Sequence, residues 1–152
     1  MCIRDRIRPH AQEIGDLVGY KLVRAIKDGE LDPKKMHFIG HSAGGFVVVR
    51  AALVLRSFGL IPDDLQITML DTPATDNADL LSLLETTKID FYGTSSFTAI
   101  GVPGNGFHDN YTYTQVPVPA EITSSIDQHN YAYEWYIKTV LKNSEDLSLI
   151  HI

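Results

Sequence analysis

Met36-His37-Phe38-Ile39-Gly40-His41-Ser42-Ala43-Gly44-Gly45 is the stretch on which the reading of this chain turns. Met36 to Ile39 is a short apolar run of buried-strand length. Beyond it, Val47, Val48, Ala51, Ala52, Val54 and Leu55 form a broad apolar face, which predicts a helix from Ala43 to Phe58 lying on a sheet. Between strand and helix stands Gly40-His41-Ser42-Ala43-Gly44. A serine on a sharp strand-to-helix turn needs small neighbours, because the backbone is crowded there. Gly40 and Gly44 are expected to supply that room. The turn would present Ser42 at the positive end of the helix, where an oxyanion is stabilised, with the Ala43 N–H as donor. A tight Gly/Ser turn without chemistry is the plainer alternative.

Working outward, Ile14, Leu17, Val18, Leu22, Ala25 and Ile26 recur at helical spacing and predict a helix over Ala11 to Lys27, stopped at Asp28-Gly29. Ile7 to Pro9 reads as the end of a loop. Downstream, Leu65 to Leu70 reads as a strand ending at Asp71-Thr72-Pro73, Ala78 to Glu85 as a short helix, and Ile89 to Tyr92 as a strand. Gly93 to Pro119 is loop-like, with one β segment at Tyr111 to Val116. So long an irregular stretch is either a lid or substrate-binding loop or a variable surface loop. Asp127-Gln128-His129 leads into a last helix, Tyr131 to Asn143. Alternating helices and strands place the chain in the α/β class, with a mostly parallel sheet flanked by helices.

The 152 residues suffice for one modest domain. A net charge of −6 gives no reason to expect a nucleic-acid partner, and no run is long and apolar enough to span a membrane. The two ends are anomalous. Met1-Cys2-Ile3-Arg4-Asp5-Arg6 and Leu147-Ser148-Leu149-Ile150-His151-Ile152 can be encoded by DNA strings that are reverse complements of each other, and both resemble a transposase adaptor used in sequencing-library preparation. Residues 1–6 and 147–152 are therefore read as translated adaptor and set aside, leaving 7–146 as a partial domain. The sole cysteine, Cys2, falls in the excluded end, so disulfides play no part. The compartment is left open, secretion included.

A serine hydroxyl becomes a nucleophile when an imidazole takes its proton and a carboxylate holds that imidazole in the right tautomer. In α/β-hydrolases the three follow in the order Ser, acid, His, with acid and base in loops after later strands. Ser42, Asp71 after its strand, and His129 before the last helix have that order. Asp90 is the rival acid, although it falls inside a strand. Asp76 and Asp79 read as helix-start residues and Asp127 as a turn support. His37 reads as structural, and His41 is expected to point away from the nucleophile into packing. His10 reads as solvated, and His108 as a surface residue or a lid contact.

Gly40-His41-Ser42-Ala43-Gly44 resembles the G-H-S-x-G of the pancreatic-lipase-like family. Leu70-Asp71-Thr72-Pro73 resembles its L-D-P segment, His129 to Tyr136 its H-x-x-x-Y-x-Y-Y segment, and Ile89-Asp90-Phe91 its V-D-V strand. The likeness runs from Ala11 to Val140. It departs from the family in lacking cysteines and in the extra Thr72 before Pro73. The resemblance implies a partial α/β-hydrolase fold, the C-terminal portion of the sheet, without the early strands that carry the second oxyanion donor. It implies a carboxylic ester hydrolase with Ser42 as nucleophile, Asp71 as acid and His129 as base, acting on acylglycerol or phospholipid esters with contact to a lipid interface. An acyltransferase would use the same residues. Acyl-enzyme hydrolysis needs no cofactor. No metal site is assigned, since Asp76 and Asp79 match no calcium site residue by residue. The alternative of another class is a noncatalytic carrier or interaction domain on the same fold.

Overall fold

The computed structural model describes residues 3–62, 65–72, 83, 87–94 and 111–139. The chain runs α1 (Ile3–Lys27), a 3₁₀ turn (Pro33–Lys35), β1 (His37–His41), α2 (Gly44–Ser57), β2 (Gln66–Leu70), β3 (Lys88–Gly93), β4 (Tyr111–Gln115) and α3 (Ser125–Thr139). The four strands form one sheet in the order β1-β2-β3-β4, every pair parallel. Parallel neighbours need crossover segments, and α2 is the one between β1 and β2; α3, after the last strand, lies on the opposite face of the sheet.

The pleat sorts the side chains. Phe38, Ile67, Met69, Ile89 and Phe91 share one face and are buried with Val48, Ala51, Ala52 and Leu55 of α2 and with Leu83. Residues of opposite parity, His37 and His41, Gln66 and Thr68, Asp90 and Tyr92, lie on the other face, where α3 sits. There Tyr92 meets Tyr136 and Trp135 of α3, with ring centroids 5.1 and 5.9 Å away. One face is thus an apolar core and the other is largely polar.

α1 packs on the outside of α2. Gly15 and Gly19 let the backbones close: a Cβ on Gly15 would come within 2.7 Å of the Val47 carbonyl oxygen, and one on Gly19 within 2.6 Å of Val54 Cβ. A two-pronged ion pair from Arg50 to Asp16 spans the same seam, with both hydrogen bonds at 3.1 Å.

Several boundaries differ from the expected ones. α1 starts at Ile3, so Pro9 lies inside a helix, where it leaves one backbone hydrogen bond unmade. Ile14 and Leu17, expected on the buried stripe, are 51% and 64% exposed. The glycines pull the seam toward Ala11, Gly15, Val18 and Leu22 instead. The β segment expected at Tyr111 to Val116 is present as β4, paired in parallel with β3. α3 begins at Ser125, not Tyr131, so His129 lies in the helix rather than before it. The expected Ala78–Glu85 helix, apart from buried Leu83, the stretch 95–110 and residues Asp76, Asp79, His108 and Asp109 lie outside the described residues. Among the described residues, no helix is long and apolar enough to cross a membrane.

Candidate functional site

The C-terminal ends of β1, β2 and β3 gather the residues on which the sequence reading rests. His41 is paired in register with Leu70, and Leu70 with Tyr92. Ser42, Asp71 and the residues after Tyr92 therefore leave the sheet at one level. The Ser42 N–H donates to the Leu70 carbonyl at 2.9 Å and the Asp71 N–H to the Tyr92 carbonyl at 2.7 Å, extending both ladders by one residue. Among the described residues, Ser42 (φ 55°) and Asp71 (φ 45°) are the non-glycine residues with left-handed backbone. For side chains with a Cβ that conformation costs about 1–2 kcal/mol, tolerated where surrounding structure enforces it. Here both ladders do so, and each residue turns sharply as its strand ends.

Crowding in the turn is relieved by Gly40 and Gly45. A Cβ on Gly40 would lie 2.5 Å from the Gly44 carbonyl oxygen, and one on Gly45 would run into the Thr72 side chain. Gly44, expected to provide this room, faces open space among the described residues. The correction is positional: Gly44 is the first residue of α2 on its outer side, while Gly45 faces β2. Gly45 was legible only as the second half of a Gly-Gly pair. The turn's own bonds, from Gly45 N–H to the Ser42 carbonyl and from Phe46 N–H to the Ala43 carbonyl, occupy the next donors. Ala43 caps α2 without a side-chain bond, and its N–H lies outside the helical ladder at the positive end of the helix.

Asp71 is fully buried. Its Oδ1 accepts the Thr94 N–H at 2.7 Å, and its Oδ2 accepts the Thr94 hydroxyl at 2.9 Å. The same Oδ2 lies 2.7 Å from His129 Nδ1. A carboxylate accepts only, so Nδ1 carries the hydrogen, and a neutral His129 then has its lone pair on Nε2. His129 belongs to the second turn of α3, whose first turn is set by Ser124: the Gln128 N–H donates to its carbonyl at 2.9 Å and Asp127 N lies 3.5 Å from its hydroxyl. Ser124-Ser125-Ile126-Asp127 has the Ser-x-x-Asp form of a helix start, a signal that would have found the boundary.

The rival acid lies elsewhere. Asp90 is buried under α3 on the polar face, accepts from Gln66 Nε2 and pairs with Lys88 at 3.8 Å. On the same face His37 Nε2 and Thr68 Oγ1 are 2.8 Å apart, and Tyr136 Oη is 3.5 Å from Thr68 Oγ1. Burial pushes the His37 imidazole below its ordinary value and the Tyr136 phenol above its own.

Two participants escaped the sequence reading. Thr94 clamps Asp71 with two bonds, and its only advance signal is its place just past a strand end. His41 lies against His129: its ring centroid is 4.5 Å from that of His129, and its Nε2 is 3.0 Å from the His129 carbonyl oxygen. It does pack, as expected, but it packs on His129. No known protein family, curated protein or solved structure matches the chain.

Proposed function

We propose that the chain carries the nucleophile, base and acid of a serine-dependent carboxylic ester hydrolase, arranged as in the C-terminal portion of an α/β-hydrolase sheet. The observation that carries the reading is the Asp71–His129 bond at 2.7 Å, made by a buried carboxylate one strand away from a serine with left-handed backbone. In this reading His129 Nε2 takes the Ser42 proton as Oγ attacks the ester carbonyl. Asp71 holds the Nδ1 tautomer and stabilises the imidazolium, and the Ala43 N–H donates to the oxyanion. The imidazolium returns the proton to the departing alcohol. Water then attacks the acyl-enzyme by the same base, releasing the acid and restoring Ser42. The motif resemblance points to acylglycerol or phospholipid esters as the substrate class.

The test is covalent labelling with a fluorophosphonate, alongside turnover of p-nitrophenyl esters. Labelling that maps to Ser42 and disappears in Ser42→Ala is the expected result. A chain that binds lipid but resists phosphonylation would instead fit the carrier reading.

A further inference from the structure

We infer that His41, beside the nucleophile in sequence, is a positioning residue for the base: its Nε2–H holds the His129 carbonyl, and its ring backs the His129 imidazole. The inference rests on the hydrolase reading above and adds to it a residue that acts through His129.

The geometry starts from the pleat. His41 ends β1 with its side chain on the face that α3 covers, while Ser42 turns away at the next residue. On α3, His129 and Tyr133 are one turn apart and present their rings to the same place. The His41 ring meets both, at centroid distances of 4.5 and 5.9 Å. A carbonyl oxygen only accepts, so the 3.0 Å contact with the His129 carbonyl requires the hydrogen on His41 Nε2.

The tether matters because α3 is lightly docked. Of its 15 residues, Ala132 and Tyr136 are the buried ones, and the Tyr136 hydroxyl contact with Thr68 is long at 3.5 Å. The Asp71 bond holds the imidazole at Nδ1. A second attachment at the backbone of the same residue, with a ring against the imidazole face, restricts its position further. Misplacement of a base by about 1 Å can cost on the order of 100-fold in rate.

Charge favours the same arrangement. Burial holds the His41 imidazole below its ordinary value, although its bond to the His129 carbonyl pulls the other way. A neutral His41 presents a π face to the imidazolium that forms on His129, where a charged ring would repel it.

Two variants separate donor from ring. His41→Gln keeps an N–H donor the same number of bonds from the backbone, and His41→Phe keeps a ring without a donor. On p-nitrophenyl esters His41→Phe should lose about tenfold in kcat with KM within about twofold, the scale of one lost hydrogen bond. His41→Gln should recover to within about threefold of wild type. An unimpaired His41→Phe, or a His41→Gln as slow as His41→Phe, overturns the inference. Should either variant fail to fold, long-range ¹⁵N–¹H spectra of the unmodified chain decide: His41 neutral with its proton on Nε2 at pH 7 is expected, and a proton on Nδ1 overturns the tether. A wild type that fluorophosphonate does not label sinks the hydrolase reading and the catalytic role of His41 with it. A labelled wild type with an unaffected His41→Phe sinks the positioning role alone.

Discussion

Exchanging Asp71 for Asn puts an amide into a pocket that has already determined which oxygen must stay an oxygen. The Thr94 N–H points at Oδ1 from 2.7 Å, and a backbone amide can only donate. The new side chain must therefore offer its carbonyl to Thr94 and its NH₂ at the former Oδ2, facing the Thr94 hydroxyl and His129 Nδ1. The hydroxyl can turn and accept. His129 Nδ1 must accept as well, which moves the imidazole hydrogen to Nε2, where it blocks proton abstraction from Ser42. The same exchange in the serine-protease template costs about 10⁴ in turnover. For Asp71→Asn we expect a loss on the order of 10²–10⁴, equivalent to about 2.7–5.4 kcal/mol of barrier. The assay is kcat on one p-nitrophenyl ester for Asp71→Asn and Asp90→Asn side by side, with circular dichroism confirming that both fold. Asp90 engages Gln66 and Lys88 rather than the imidazole, so its variant should keep turnover within about threefold of wild type and lose roughly 0.5–3 kcal/mol of stability. An Asp71→Asn enzyme at wild-type turnover would refute the tautomer argument. A crippled Asp90→Asn beside it would move the acid to β3.

The two glycines at the start of α2 should behave oppositely. Gly45→Ala drives a methyl into buried Thr72, next to Asp71, and should cost about 1–3 kcal/mol in urea unfolding along with most of the turnover; Gly44→Ala meets no atom of the described residues and should be neutral or slightly stabilising. Stability should also fall on acidification. Burial lowers the folded-state values of His37 and His41, so below about pH 6.5 the unfolded chain binds protons that the folded one refuses. Their contribution is complete above that pH and declines as pH falls from there toward the lowered folded values. The urea midpoint should be flat from about pH 8 to 7 and drop as pH falls below about 6.5, with a shallower drop in His37→Asn.

The turn at Ser42 and the strand-end position of Asp71 were legible because local rules act on them strongly. Gly40 has no space for a Cβ, and a strand of apolar residues that stops at Asp71 marks a carboxylate at a sheet end. The strand–helix alternation pointed to the α/β class for the same reason, since short apolar runs and 3.6-period stripes are written into consecutive side chains. What the sequence hid was settled between elements. Nothing local marks Thr94 as the clamp on Asp71, because the bond joins the ends of two strands 23 residues apart. Ile14 and Leu17 match a helical stripe, but Gly15 and Gly19 let α2 approach on another side and set the contact face. In sequence His41 reads only as a packing residue. Its partner stays hidden because the helical pattern suggests a start after His129, whereas the helix itself starts before it.

The placement of His129 makes the site a joint property of two units with different lifetimes. β1 to β3 are locked to α2 by a continuous apolar core, whereas α3 buries two side chains, Ala132 and Tyr136, and otherwise rests on ring contacts with Tyr92 and His41 and on polar bonds. Regions with few buried apolar contacts open at lower free energy than the whole molecule. A molecule whose last helix has swung off still holds its sheet, its serine turn and buried Asp71, yet no longer has His129 beside them. Under the proposed hydrolase reading, competence would therefore be metered by the docking of one helix. It should fade reversibly at a denaturant concentration where the sheet is still intact, and loss of activity and loss of structure become two separate events.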